Sequence, residues 1–186
     1  MADNHFETLV EAAQKSPGET DYTVLRRAYV TSPHYQPTSH YSFQKLKGNT
    51  NQFQSLEEIE IFCKKALANN PMDLELRMML EFVYEQMEQY DLAAQHHAFV
   101  AGMLDAIHRS GDGKSLATAW QVVAVAEEYT MLSVLGLKSK AQSLVEHNER
   151  YFDVLECVPR DDPEADVERI HFDITPAYLY LRRMIE

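Results

Sequence analysis

Glu127 and Glu128 stand side by side, and His171 and Asp173 lie two residues apart near the end of the chain. Paired carboxyls with a histidine are the residue types of general acid–base chemistry, provided burial pulls their pKa values apart. Asp153 and Tyr129 extend the set, and Asp112 and Lys114 precede it in a glycine-containing turn. A hydrolase or lyase using Glu127, Glu128, His171 and Asp173 is therefore one function these residues allow. Each also has a simpler role. Two acidic residues at a helix start complement its dipole. Polar residues alternating with Ile170, Phe172 and Ile174 mark the wet face of a strand, which puts His171 and Asp173 on one side.

Gly113-Lys114-Ser115 matches the end of the phosphate-binding pattern Gly-x4-Gly-Lys-Ser/Thr. The first glycine of that pattern belongs at position 108, where the chain has His108. The residues before it, "MLDAIHRSG", read as the end of a helix, whereas the phosphate loop must leave a buried strand. The simpler expectation is a hinge. Gly111 supplies a left-handed helix stop, Asp112-Gly113 forms a turn, and Ser115 caps one short helical turn. Asp112 and Lys114 then become surface contact residues, and no cofactor is implied.

Other templates fail as well. His96 and His97 are neighbours on a helix and point about 100° apart, so they do not share a metal. His97 falls in the apolar stripe and is expected to be the buried one. Cys63 and Cys157 match no metal or redox spacing; they read as two buried thiols in a reducing compartment. No serine sits in a Gly-x-Ser-x-Gly elbow. The segment "YVTSPHYQPTSHYSF" is different, because a proline-stiffened loop rich in tyrosine suits a protein interface. It nominates Tyr35, His40 and Tyr41 as partner-binding residues, with Asp112, Lys114 and Tyr129 from the later cluster. The alternative is a loop packed down by its own rings.

The elements that must position these residues are legible from composition and periodicity. The chain has 186 residues, is 45% hydrophobic, and carries 17 basic against 29 acidic side chains for a net charge of −12. The excess is spread along it, with 9 basic and 15 acidic residues before Ser110 and 8 and 14 after. Such a surface repels nucleic acid and anionic lipid and leaves a basic protein as the fitting partner. No apolar run approaches the roughly 20 residues of a membrane span, and the first residues show no signal-peptide pattern. A cytoplasmic protein is expected.

Apolar residues recur at helical spacing through Phe6, Leu9, Val10 and Ala13, and again around Leu25, Ala28 and Tyr29. They do so at Leu56–Leu67, Leu76–Met87 and Ala93–Ile107. The junction "KKALANNPMD" resembles that between two tetratricopeptide repeats, with Glu81 replacing the small residue such a repeat prefers. After Gly111 the pattern changes. "TAWQVVAV" predicts a strand over Ala119–Val125, and "EEYTMLSVLGLK" a helix stopped by Gly136. "KAQSLVE" and "RYFDVLECV" predict a hairpin, "RIHFDIT" a further strand, and Pro176 a final helix. The acidic run "DDPEADVE" reads as a solvated loop.

The stretches "GDGKSLATAWQVVAVAEEYTMLSVLGLK", "DYTVLRRAYVTSPHYQP", "YFDVLEC" and "HFDIT" resemble a bacterial family, domain of unknown function 4919. The resemblance spans roughly residues 21–175, with Gly111–Tyr129 its most specific part, and implies that family's fold without any catalytic residues. The expected fold is α+β: residues 1–110 helical, with a tetratricopeptide-like hairpin within 56–109, packed on a mainly antiparallel sheet of about four strands within 111–186. The two halves are expected to form one compact domain. The leading functional expectation is a non-enzymatic interaction protein, in one version an immunity or antitoxin-like protein that masks a basic partner. The alternatives are the Glu/His hydrolase or lyase, and a small-ligand binding module with its pocket between helices and sheet.

Overall fold

The computed structural model of the chain describes residues 5–38 and 53–185. It is an α+β fold with helices in the N-terminal part and the sheet in the C-terminal part. The helices α1 (His5–Lys15), α2 (Tyr22–Thr31), α3 (Leu56–Asn69), α4 (Leu74–Gln86) and α5 (Tyr90–His108) come first. Strand β1 (Trp120–Gln121), helix α6 (Val125–Val134), strands β2 (Leu137–His147), β3 (Arg150–Pro159) and β4 (Glu168–Asp173), and helix α7 (Thr175–Ile185) follow. The chain divides within α5 into two compact units, Met1–Met103 and Leu104–Glu186.

Local chemistry starts the helices where the sequence places them. Asp21 Oδ1 accepts hydrogen bonds from Thr23 N and Val24 N at 3.0 and 3.1 Å, opening α2. Ser55 accepts from Glu58 N at 3.3 Å, while Glu58 reaches back to Gln54 N at 2.8 Å. Asp73 accepts from Leu76 N at 3.0 Å and opens α4. These acceptors satisfy backbone donors that have no intrahelical partner. The stripes of α3 and α4 then close on each other, with Ile59, Cys63 and Leu67 against Leu76, Leu80, Val83 and Tyr84, and Ala93 of α5 completing the cluster.

In the second unit the strand order is β1-β4-β3-β2. β2, β3 and β4 are antiparallel neighbours, and β1 pairs with β4 in parallel through Trp120↔Phe172 and Gln121↔Asp173. The β2–β3 hairpin turns at Asn148 and Glu149, both left-handed with φ of 50° and 60°. That geometry matches the right-handed twist of the strands it joins. Trp120, Val122, Met131, Leu132, Leu155, Ile170 and Phe172 form the core.

Three expectations change. The strand expected over Ala119–Val125 is only the two residues of β1. Helix α6 begins at Val125 because Glu127 Oε2 reaches back to accept Val123 N at 2.8 Å, as the acid of a capping box does. Gly111 is not the left-handed residue; Gly113 is, with φ of 70°. Gly111 is needed for space instead, since a Cβ there would lie 2.2 Å from Thr118 O. Finally, His97 is exposed and bonds Glu81 Oε1 at 2.8 Å, while its neighbour His96 is the half-buried ring. Glu81, the departure from the repeat pattern, thus has a partner on the next helix.

Candidate functional site

The acidic cluster assembles in part. Directly opposed residues of an antiparallel pair share a face, and neighbours along a strand alternate. Asp153 opposes Phe172, and Val154 opposes His171. Asp153 therefore lies on the core face with Leu155 and Phe172, and His171 and Asp173 lie on the other. Helix α6 packs its Met131 and Leu132 into the same core and brings Glu128 to Asp153. Glu128 and His171, expected as one catalytic pair, are on opposite sides of the sheet, because Glu128 packs beside Asp153 on the core face and His171 alternates with Phe172, the residue that opposes Asp153.

Glu128 is 0% exposed, and neither carboxyl oxygen receives a hydrogen bond from a donor group. Burial first, then the nearby charges of Asp153 and Glu127, push its pKa up to about 9. It stays protonated at neutral pH, with its proton shared toward the Asp153 carboxylate beside it. Asp153 is itself raised by burial, an effect opposed by hydrogen bonds from Gln142 and Glu128. Gln142 Nε2 donates to Asp153 Oδ2 at 2.6 Å, and Tyr129 Oη donates to Gln142 Oε1 at 3.0 Å. Tyr129, 47% exposed, is the outer end of this chain.

The remaining nominated residues have structural partners. Asp173 accepts from Arg150 Nη2 at 2.5 Å, and from Thr175 N at 3.0 Å at the start of α7. His171 binds the Gly113 carbonyl through its backbone N–H at 2.9 Å, with its Nδ1 3.1 Å away. Asp112 Oδ1 accepts from Lys114 N at 3.0 Å and Thr118 Oγ1 at 2.5 Å, bonds that hold its carboxyl below the usual range. The amides of Asp112 and Gly113 donate to Thr118 O. With those amides engaged and a helix rather than a strand before it, this turn offers no phosphate cradle. Lys114 remains exposed. Tyr35 is 5% exposed and stands edge-on to Tyr29 with ring centroids 5.1 Å apart, so its ring packs inward instead of meeting a partner. His40 and Tyr41 lie outside the described residues.

A site the sequence reading missed lies in the first unit. Helices α1, α3, α4 and α5 line a half-open pocket of about 480 Å³. Leu67, Leu80, Leu92 and Phe99 supply apolar wall, and Gln14, Lys64, Arg77, Tyr84, Gln95 and His96 the polar wall. Arg77 is 3% exposed. Its Nε and Nη2 both donate to Pro71 O, at 3.1 and 2.6 Å, and its guanidinium lies over the Phe99 ring at 3.4 Å. Burial lowers its pKa to about 9. His96 stacks on Tyr84 with centroids 5.6 Å apart. Burial, then the charges of Arg77 and Lys64, lower its pKa to about 4, and its buried Nδ1 has no hydrogen-bond partner. An arginine in a leucine-rich helical stripe was the one available signal, since Arg77 follows Leu76 and precedes Met79 and Leu80.

Helices first and a four-stranded sheet after them define an α+β protein whose two units each carry a desolvated ionisable centre. Within that class, the model of the family described as Domain of unknown function (DUF4919) matches residues 5–182, and the chain belongs to that family. Comparison with curated proteins gave no match, and neither did comparison with solved structures. Among the described residues, no helix is long and apolar enough to cross a membrane.

Proposed function

We propose that the chain is a non-catalytic binding protein that holds a small ligand in the pocket among α1, α3, α4 and α5. The observation that carries this reading is the pocket itself. Its volume, about 480 Å³, falls in the range of small-molecule sites, and its wall combines apolar surface with convergent polar groups. The acid–base alternative loses support because its histidine and Glu128 lie on opposite sheet faces. Both cysteines are free and buried, with thiols pushed up to about 12 and 11 by burial, which suits a reducing, cytoplasmic setting.

Thermal-shift screening of metabolite classes, paired with Ala68→Trp, tests the proposal. Ala68 is exposed at the pocket wall, so tryptophan there fills the space without touching the core. One class is expected to stabilise the wild type and to lose that effect in the variant. Equal shifts in both proteins, or none in either, would overturn it.

A second reading, the interaction protein for a basic partner, is favoured by the long edge strand β2. Its eleven residues pair with β3 alone among the described strands, and Leu144 is exposed on it. An open edge of this kind accepts another chain. The masking of a basic partner, in an immunity or antitoxin-like role, belongs to this reading. Pull-down at moderate salt with wild type and Leu144→Arg is the check, and recovery of the same partner by both would remove β2 from the argument.

A further inference from the structure

The pocket has a charge pattern that its surroundings do not share. In a chain of net charge −12, the wall carries, among the described residues, two cationic side chains, Lys64 and Arg77, and no carboxylate. Lys64 is neutralised by Glu60 at 2.5 Å. Arg77 has no ion-pair partner among the described residues. Asp73, the acid nearest to it in sequence, caps α4 through Leu76 N, and its charge only partly offsets the burial of the guanidinium. Two of the three guanidinium nitrogens are spent on one neutral carbonyl, and Nη1 bonds nothing among the described residues. A buried charge is ordinarily paired, since desolvating it alone costs several kcal/mol.

We infer that the pocket binds its ligand by a carboxylate group that pairs with Arg77, with an apolar body against Leu67, Leu80 and Phe99. This rests on the reading of the pocket as a ligand site. A carboxylate suits the donors better than phosphate does. The geometry offers one free guanidinium edge, with His96, neutral at physiological pH, beside it. The chain as a whole repels polyanions such as a phosphate dianion. The Phe99 ring under Arg77 fixes the plane of the fork, so little rotamer freedom is lost on binding.

The carboxylate can belong to a free amphipathic acid or to the end of an apolar peptide, and calorimetric titration separates the two. The probes are octanoate, 3-phenylpropionate and the tripeptide Leu-Leu-Phe as free acids, each beside its primary amide, with inorganic phosphate as a further arm. The acids are expected to bind about tenfold or more tightly than their amides. Preference for the small acids identifies a metabolite and preference for the tripeptide a chain end; either supports the carboxylate.

Arg77→Met is expected to abolish the acid preference while raising the Tm of the unliganded chain, because it removes a charge whose burial its neighbours only partly offset. A purely structural arginine would give a lower Tm and unchanged binding. Arg77→Lys keeps a cation in the wall and is expected to retain a weakened preference, which tests the proposal even if Arg77→Met does not fold. Amides binding as well as acids, yet blocked by Ala68→Trp, would overturn the carboxylate and leave the pocket standing. Phosphate binding more tightly than any acid would overturn it too. No binding by any probe, with no shift from the wider metabolite screen, would remove both.

Discussion

At the scale of single residues, Glu128 makes the sharpest prediction. Its folded pKa of about 9 lies far above the ordinary carboxylate value. The unfolded chain gives up this proton near pH 4.5 and the folded chain keeps it, so unfolding releases a proton throughout that window. Stability is therefore fullest below about pH 4.5 as far as this group is concerned, and falls as pH rises towards 9. Glu128→Gln supplies a neutral side chain of the same shape as the protonated acid. It is expected to stabilise the protein at pH 7 by on the order of 3 kcal/mol, with little gain at pH 4.5. Urea unfolding at several pH values reads this directly, and a constant difference across pH would refute the assignment. Asp173 works the other way, as an acceptor for Thr175 N and Arg150. Asp173→Ala is expected to cost about 1–2 kcal/mol in the same measurement.

At the scale of elements, the β2–β3 turn and the loop before β1 are the places where backbone geometry is most demanding. Glu149 is left-handed without being glycine or asparagine. Glu149→Gly makes the pair Asn-Gly, the favoured sequence for a two-residue hairpin turn, and is expected to raise stability by about 0.5–1 kcal/mol in chemical denaturation. Gly113 is also left-handed, and a Cβ there would lie 3.0 Å from the Trp120 ring. Gly113→Ala is expected to destabilise by roughly 1–2 kcal/mol and to shift the emission of the chain's single tryptophan. Elements were legible where the signal was local. The helical spacing of apolar residues over Leu56–Leu67 and Leu76–Met87 marks two helices, and the alternation at Ile170–Phe172 marks β4. The strand expected over Ala119–Val125 stops at Gln121, because β-branched residues favour a strand while Glu127, by reaching back to Val123, starts a helix there instead.

For the whole molecule, the excess of acidic side chains spread over both units sets a general electrostatic strain. Raising ionic strength from about 0.02 to 0.2 M shortens the Debye length from roughly 20 to 7 Å and is expected to raise Tm by a few degrees. A Tm that falls with salt would mean that ion pairs such as Arg150–Asp173 outweigh the repulsion. The sequence by itself determined the α+β order, the boundaries of most helices, the hairpin and the family, because periodicity, capping residues and turn residues act over a few positions. It did not separate Glu128 from His171, choose His96 over His97 for burial, or single out Arg77. Those outcomes depend on which face each strand or helix turns towards its neighbours, and so on how much water each charged group loses. Desolvation is a property of packing between distant segments. The tertiary structure alone decided that Glu128 keeps its proton and that Arg77 is buried in a pocket wall.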